Sequence, residues 1–438
     1  MNFRHHLPLI LGSLALAIAL GLAAWRQANP PWAAYQSDPQ VRTLIPTLNN
    51  KPELCLTCHY GIEEISRSHP TDVFGCVSCH GGDPLSLDQA EAHRSLLGPN
   101  GNPADLTVVS QTCGTSNCHG GDLPTNRNHI ARVQLSLHTT YAGAINAVLE
   151  SQGISGPLYG VNAVQAIGYG PLDTIDTLAA FDPKSFSHPA VATFAENCLS
   201  CHLDAQPIDA PYFYRGTGCA ACHTPYTADG RYGGGDPTIP KDEAGHPAMH
   251  ALTVLMPYTQ CSQCHARGTY STESITFAPR DSAALTGKRA TDYQPHADPV
   301  AVRCERELDC IDCHNAAEAM GNGHLYGNLA SSPIVECRTC HGTLTKPPPL
   351  VTLTDPNDPA FRRDHLNDNY TLREGDTVVQ SPNGDALGAV RWQDNRLVLT
   401  SRVTGQTFFV PPVQGSACTQ NVEQQEARYC RECHATDK

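Results

Sequence analysis

The first segment of the chain carries an uninterrupted apolar run. Leu7–Trp25 is a stretch of 19 residues without charge, with Arg4 before it and Arg26 after it. Such a run predicts either a secretory signal peptide or a single membrane-spanning helix. Trp32 and Tyr35 follow closely, as in an interfacial anchor. We favour a retained anchor over a cleaved signal, and either places residues beyond about 35 outside the cytoplasm.

A helical period appears in the middle of the chain. It predicts one helix from Ile130 to Glu150, ending before Gly153. One face of this helix carries an apolar stripe with a histidine in it, formed by Leu135, His138, Ala142, Ile145 and Leu149. A histidine on an apolar stripe is a sensible ligand for a metal beside a flat apolar cofactor. His129, at the start of the helix, is a less certain candidate.

A different pattern appears near the carboxyl terminus, where short strand-like runs alternate with turns. These runs predict a small β-meander inserted at about 366–415. The predicted strands are Thr377–Gln380, Ala386–Trp392, Arg396–Arg402 and Gln406–Val410. Elsewhere we expect a mostly α and irregular chain of short helices and loops.

Composition explains why aliphatic packing alone does not organise the chain. Only 6% of the 438 residues are aromatic, whereas Gly (35) and Pro (34) are plentiful. The net charge of −14 makes nucleic acid a poor partner, because a phosphate backbone requires a basic face. The 20 Cys and 21 His are the unusual feature.

Most of the cysteines fall into one motif. Eight segments read Cys-x-x-Cys-His, and a ninth has four residues between its cysteines. Two thiols one helical turn apart can add to the two vinyl groups of a porphyrin, and the following histidine then ligates the iron; this is the signature of covalent c-type haem. The predicted attachment cysteines are Cys55, Cys58, Cys76, Cys79, Cys113, Cys118, Cys198, Cys201, Cys219, Cys222, Cys261, Cys264, Cys310, Cys313, Cys337, Cys340, Cys430 and Cys433.

Two other interpretations of the cysteines are weaker. Zinc ribbons use Cys-x-x-Cys pairs but do not need a trailing histidine at every site. A disulfide framework suits an exported chain, but so many tight loops are implausible. Cys304 and Cys418 remain outside the motifs, and in an oxidising compartment we expect them to pair.

The histidines divide into two sets. The predicted proximal iron ligands, one per motif, are His59, His80, His119, His202, His223, His265, His314, His341 and His434. Outside the motifs and the leader, ten more histidines are candidates for nine distal positions: His69, His93, His129, His138, His188, His246, His250, His296, His324 and His365. This near match predicts mostly bis-histidine, low-potential haems. His246 and His250 are four apart, so one of them is the expected spare, and Met249, Met256 and Met320 are thioether alternatives.

The spacing of the motifs suggests modules. The first two motifs of the first and second groups of three are each 21 residues apart, and the long gap before Cys430 shrinks to a similar length once the β-meander is removed. We therefore predict a leader or anchor (1–34) and three tri-haem modules (35–150, 151–280 and 281–438), with coincidental spacing as the alternative.

Several stretches resemble one group of multihaem c-type cytochromes, those exported or tethered to the outer face of a bacterial inner membrane. They are Trp32-Ala-Ala-Tyr-Gln36, Ser68-His-Pro70, Phe74-Gly-Cys-Val-Ser-Cys-His-Gly-Gly82, Cys310-Ile-Asp-Cys-His314, Met320-Gly-Asn-Gly323 and Cys337-Arg-Thr-Cys-His-Gly342. The likeness covers most of the chain except the β-meander. It implies electron transfer without a defined substrate.

We expect an electron conduit of nine haem c groups, rather than an enzyme, between a membrane quinol oxidoreductase or another cytochrome and an acceptor. The acidic surface favours a basic partner or one bridged by Ca²⁺. One alternative is an oxidoreductase acting on a nitrogen or sulfur oxyanion at a five-coordinate haem. Another is a subunit of an extracellular cytochrome filament, which requires a cleaved leader. The expected location is the periplasmic side of the cytoplasmic membrane, or outside the cell if the leader is cleaved.

Overall fold

The structure is a computed structural model that describes residues 3–36, 41–115, 118–121, 127–168, 174–208, 213–265, 268–271, 276–279, 307–421 and 430. The chain divides into two compact units, each described separately below. The first comprises Met1–Leu97 and Tyr232–Asp242, and the second comprises Gly98–Arg231 and Glu243–Lys438. The predictions for His296, Cys304, Cys433 and His434 lie outside the described residues.

Most helices are one or two turns long, as expected for a chain rich in Gly and Pro. The α-helices are α1 (Phe3–Ala28), α2 (Thr71–Phe74), α3 (Val77–His80), α4 (Gln89–His93), α5 (His129–Leu135), α6 (Leu137–Thr140), α7 (Ala142–Ser151), α8 (Pro189–Cys198), α9 (Ala220–His223), α10 (Tyr258–Cys261), α11 (Cys310–Cys313), α12 (Ala316–Ala319), α13 (Cys337–His341) and α14 (Pro359–Asp364). Short 3₁₀ turns span Pro31–Gln36, Cys55–Thr57, Pro99–Gly101, Pro183–Ser185 and Leu199–Cys201.

The apolar run at the amino terminus forms one long helix, α1. From Leu11 onward its side chains are almost all exposed, including Leu16 (61%) and Trp25 (62%). It is long and apolar enough to cross a membrane, and a signal sequence can have the same length and apolar composition. The helix is therefore consistent with either a signal or an anchor.

Polar contacts organise the rest of the first unit. The Glu53 carboxylate is 1% exposed and accepts the backbone N–H of Cys76 at 2.6 Å. Residues 232–242 return to this unit from far along the sequence and lie against residues 61–63. Gly61 and Gly235 approach so closely there that a Cβ on either glycine would overlap the carbonyl group of the other.

The predicted helix over 130–150 is wrong as a single element, because the chain breaks twice within it. Ser136 takes an extended conformation, and its hydroxyl accepts the Thr139 N–H at 3.2 Å, which caps α6. Tyr141 is left-handed (φ 54°) and separates α6 from α7. The predicted end is confirmed: α7 stops at Ser151, and Gly153 follows with φ 66°.

The predicted apolar stripe is buried despite these breaks. Its residues Leu135, Ala142, Ile145 and Leu149 are each less than 5% exposed. The α7 stripe packs with Val191 and Phe194 of α8 in one apolar cluster. A small three-stranded sheet, in the order β1 (Tyr159–Gly160), β3 (Thr177–Ala180), β2 (Val164–Gln165), lies close to it. A separate two-stranded ladder joins β4 (Gly268–Ser271) and β5 (Thr276–Pro279).

The predicted β-meander is confirmed. β7 (Thr377–Gln380), β8 (Ala386–Gln393), β9 (Arg396–Thr400) and β10 (Thr407–Val410) are antiparallel neighbours in chain order. The sheet also includes an edge strand that the sequence pattern did not indicate, β6 (Leu350–Thr352).

Each face of this sheet contributes side chains to an apolar cluster of its own. One cluster joins Val390 and Leu399 to Leu308 and Val335, with Cys313 and Cys340 packed against it. The other cluster joins strand residues to the segment 353–372. The sheet therefore packs directly against two of the predicted attachment motifs.

Candidate haem-attachment sites

The attachment motifs share a local geometry. Seven of them form or adjoin a helical turn, at α3, α9, α10, α11 and α13 and at the 3₁₀ turns Cys55–Thr57 and Leu199–Cys201. In most motifs the backbone N–H of the histidine donates to the carbonyl of the first cysteine four residues earlier, at 2.9 Å for His80, 3.0 Å for His223 and 2.8 Å for His314. This single turn brings two thiols and one imidazole together, as attachment to one edge of a porphyrin requires.

The ninth motif, with the longer spacing, closes in the same way. The His119 N–H donates to the Cys113 carbonyl at 3.0 Å, although Cys113 is six positions earlier rather than four. Residues 116–117, between the two cysteines, lie outside the described residues. The wider site therefore keeps the hydrogen bond that closes the shorter ones.

Three proximal histidines face a histidine from outside the motifs. The ring centres of His59 and His93 lie 6.1 Å apart, those of His119 and His129 lie 5.4 Å apart, and those of His138 and His265 lie 5.8 Å apart. With metal–nitrogen bonds of about 2 Å and about 1.2 Å from Nε2 to the ring centre, two imidazoles on opposite sides of one iron have centres about 6.4 Å apart. The spacings of His59–His93 and His138–His265 are within about 0.6 Å of this value, and that of His119–His129 is about 1 Å shorter.

The Nδ1 atoms of several proximal histidines are already engaged. His223 Nδ1 lies 2.8 Å from the Thr253 carbonyl, and His341 Nδ1 lies 2.7 Å from the Pro411 carbonyl. A carbonyl accepts only, so Nδ1 carries the proton and the Nε2 lone pair is left for a metal. This donor pattern fits haem iron. Because Pro411 directly follows β10, the C-terminal sheet helps to orient a predicted iron ligand.

Carboxylates take the same role at two other sites. His59 Nδ1 lies 2.8 Å from Asp236 Oδ2, and His314 Nδ1 lies 3.2 Å from Glu318 Oε1. Both carboxylates are shielded from solvent, with exposures of 1% and 6%. An ionised acceptor makes the imidazole a stronger donor to a metal than a neutral carbonyl does.

Burial keeps many of these imidazoles neutral. It lowers the pKa of His129 and of His265 to about 4, with nearby positive groups adding to the effect. Burial also lowers the pKa of His69, His93, His138, His202, His223 and His324. A metal binds the neutral imidazole, so this environment suits ligation. His59 differs, because its hydrogen bond to Asp236 raises its pKa.

The remaining histidines have other neighbours. His69 Nδ1 lies 3.0 Å from the Ser66 hydroxyl, and His365 Nδ1 lies 2.7 Å from the Arg362 carbonyl. The His202 ring lies 6.3 Å from that of Tyr141. In the described part of the chain, the Nδ1 atoms of His188 and His202 are buried without a hydrogen-bond partner. The His324 ring lies 6.4 Å from that of Tyr326.

Neighbouring motifs also contact one another within each unit. In the first unit the Cys55 and Cys76 thiols and a Glu53 oxygen lie within 4.8 Å of one another. In the second unit, Gln260 at the sixth motif donates to the Ala221 carbonyl inside the fifth motif at 2.8 Å. The Tyr258 N–H donates to Asp309 Oδ1, just before the seventh motif, at 2.7 Å. None of the described cysteines is joined to another by a disulfide bond.

Sequence analysis missed the residues that hydrogen-bond to the attachment motifs. Asp236, Glu318 and Glu53 belong to no sequence motif, and two of the other acceptors are the backbone carbonyls of Thr253 and Pro411. The one available signal was Gly233-Gly234-Gly235 before Asp236, since a run of glycines often marks a close backbone approach.

Together these features fit the class of c-type cytochromes, in which paired thiols hold a porphyrin and a histidine binds its iron. A comparison with known families agrees. Residues 260–342 match the family described as cytochrome c554 and c-prime, a stretch that contains the sixth, seventh and eighth motifs. The match supports a c-type cytochrome with covalently bound haem in electron transfer. No curated protein and no solved structure matches the chain.

Proposed function

We propose that the chain is a multihaem cytochrome that carries electrons through nine covalently attached haems, most of them ligated by two histidines. The observation that carries this proposal is the set of three histidine pairs with ring centres 5.4 to 6.1 Å apart. Each pair joins a motif histidine to one outside the motifs. This matches the near equality of proximal and distal candidates in the sequence.

Each part of the chain has a definite task in this proposal. The paired thiols fix one edge of each porphyrin, and the adjacent histidine binds its iron from one side. Acceptors such as the Thr253 and Pro411 carbonyls hold the imidazole with Nε2 free. Haem, when bound, supplies one-electron chemistry, and the protein tunes its potential through ligands, hydrogen bonds and burial.

The proposal extends to where the protein works and to the donor and acceptor at the two ends of the haem chain. The helix α1 would hold the protein on the periplasmic side of the cytoplasmic membrane, close to a quinol-oxidising donor. The acidic chain, with 43 Asp and Glu against 29 Lys and Arg, would favour a basic or Ca²⁺-bridged acceptor. Retention in membranes after a salt wash tests the anchor, and release by salt would favour a cleaved leader and the filament alternative.

The decisive experiment is haem quantification by mass together with optical spectra of the oxidised and reduced protein. We expect nine haems and an almost purely low-spin spectrum. A protein that binds zinc, or no metal, overturns the proposal. A high-spin signal with substrate-dependent reoxidation would instead favour an oxidoreductase acting on a nitrogen or sulfur oxyanion.

A pair of variants tests the unusual ninth motif directly. The double variant Cys113→Ser/Cys118→Ser should lose the mass of one haem. Cys418→Ser, the matched control at a cysteine outside every motif, should keep all nine. A wild-type mass for eight haems would remove the wide site from the set.

A further inference from the structure

The first attachment site contains a contact that the haem proposal alone does not require. His59 is oriented by a carboxylate from a segment 177 residues further along the chain. The His59 side chain is 30% exposed, whereas Asp236 is 1% exposed. Burying a carboxylate costs free energy unless it has well-placed hydrogen-bond partners. The groups around Asp236 therefore indicate which interaction its burial serves.

Both carboxylate oxygens and the backbone N–H of Asp236 are hydrogen-bonded. Its Oδ1 accepts the Thr238 N–H and the Thr238 hydroxyl, both at 2.8 Å. Its own N–H donates to the Tyr232 hydroxyl at 3.0 Å, and that hydroxyl donates to Glu63 at 2.9 Å. Oδ2 is left to accept from His59 Nδ1 at 2.8 Å.

The backbone that carries Asp236 also packs closely against the chain near His59. Gly61 and Gly235 lie against each other, and a side chain at either position would overlap the other's carbonyl group. The Gly235 N–H also donates to Glu63. The segment 232–238 is therefore held close to His59 by contacts separate from the Asp236 carboxylate itself.

We propose that Asp236 is a positioning residue that lowers the reduction potential of the first haem by accepting the Nδ1 proton of its axial ligand, His59. The proposal rests on the proposed function, since it presupposes haem at Cys55 and Cys58. An ionised acceptor moves negative charge onto the imidazole, and a more basic ligand stabilises ferric over ferrous iron.

The other attachment sites allow the acceptors of the proximal histidines to be compared within one protein. His223 and His341 donate to neutral carbonyls, so their haems lack this effect. His314 donates to Glu318 at the longer distance of 3.2 Å, and the same carboxylate also accepts backbone N–H groups from Asn315 and Val335. Oε1, the oxygen that His314 faces, also accepts the Val335 N–H, whereas Asp236 Oδ2 accepts from His59, so the influence of Glu318 on His314 is the weaker of the two.

The test is Asp236→Asn in the full-length, haem-loaded protein. Asparagine keeps the size and an oxygen acceptor but removes the charge. We expect nine haems by mass, an unchanged low-spin spectrum, and one haem whose ferrous-to-ferric ratio at a fixed potential rises at least tenfold, which corresponds to 59 mV for one electron. Spectropotentiometry measures the shift, and the electron paramagnetic resonance g-values of one low-spin species should change with it.

Asp242→Asn is the matched control, because it makes the same chemical change at an exposed residue of the same segment. Its potentials should equal those of the wild type. A fully loaded Asp236→Asn protein with unshifted potentials overturns the proposal while leaving the haem count, and thus the proposed function, intact.

A second variant covers the case in which Asp236→Asn does not retain the first haem. Asp236→Glu keeps the charge, and nine haems with wild-type potentials would support the role of that charge. A mass for eight haems in both variants would overturn it, since the residue would then serve only to build the site. The wild-type haem count tests the proposed function separately.

Discussion

The first unit and the five-stranded sheet are held together by different means. In the sheet, aliphatic side chains are buried in two apolar clusters, with Val390 and Leu399 in one and Val378 in the other. The described residues of the first unit form no such cluster. Its most deeply buried side chains include Glu53 and Asp236, which contact attachment motifs.

This difference indicates which region depends on its cofactor. A sheet whose strands contribute to two apolar clusters gains stability from burial of its own side chains. A segment whose buried groups are carboxylates aimed at cysteine and histidine lacks that contribution. We infer that porphyrin surface replaces the missing apolar core in the first unit, whereas the sheet can persist without it.

The largest expected effect comes from removing haem altogether. When the full chain is made without haem attachment, amide protection in residues 41–97 should fall by about a thousandfold or more, because the cooperative unit loses its core. Protection in β7 to β9 should change by about tenfold at most. Hydrogen exchange measured by mass spectrometry reports both regions in one sample. Equal loss in both would contradict the comparison.

A cavity in the five-stranded sheet should destabilise the sheet and leave the haem-binding first unit unchanged, which is the opposite of the effect of removing haem. Leu399 is 4% exposed, and Leu399→Ala should cost about 2–5 kcal/mol of the sheet's stability through lost contacts and an unfilled cavity. Haem content by mass should stay at nine. Denaturant titration followed by far-ultraviolet circular dichroism measures the loss.

Leu350→Ala is the control for the sheet, since Leu350 lies on the edge strand β6 and is 40% exposed. It should cost no more than about 0.5–1 kcal/mol. Equal effects of the two substitutions would show that the apolar clusters do not stabilise this region.

A smaller effect is expected from a buried hydrogen bond in the first unit. Glu53→Ala removes the acceptor of the Cys76 N–H and should cost about 1–3 kcal/mol, because a buried donor is left unsatisfied. Glu64→Ala removes a similar bond to the Thr71 N–H at an exposed position and should cost about 0.5 kcal/mol or less. Thermal unfolding followed at the haem absorption band compares the two, and equal costs would contradict the role of burial.

Local patterns predicted the parts of the molecule that depend on local chemistry. The attachment turns follow from residues within one helical turn, and the strands of the meander follow from alternation and turn residues between 377 and 410. The predicted helix over 130–150 failed because Ser136 has a competing capping role, and because Tyr141 takes a conformation that no periodicity reveals.

Contacts between distant residues could not be predicted. Asp236 reaches His59 across 177 positions, and Pro411 reaches His341 across 70. A carbonyl acceptor leaves no trace in the sequence, because every residue has one. The pairing of His138 with His265, rather than with the nearer motif at His119, likewise depends on how the chain is folded in space.

The discontinuity of the first unit has a consequence for biogenesis. Residues 1–97 leave the ribosome first, but the segment carrying Asp236 follows only after residues 98–231 have been made. If haem is attached at Cys55 and Cys58 as proposed, the thioether bonds could form before Asp236, the proposed positioning residue, has been made. Maturation of this cytochrome would begin with a loosely held cofactor and end with a late chain closure that sets its final electronic state.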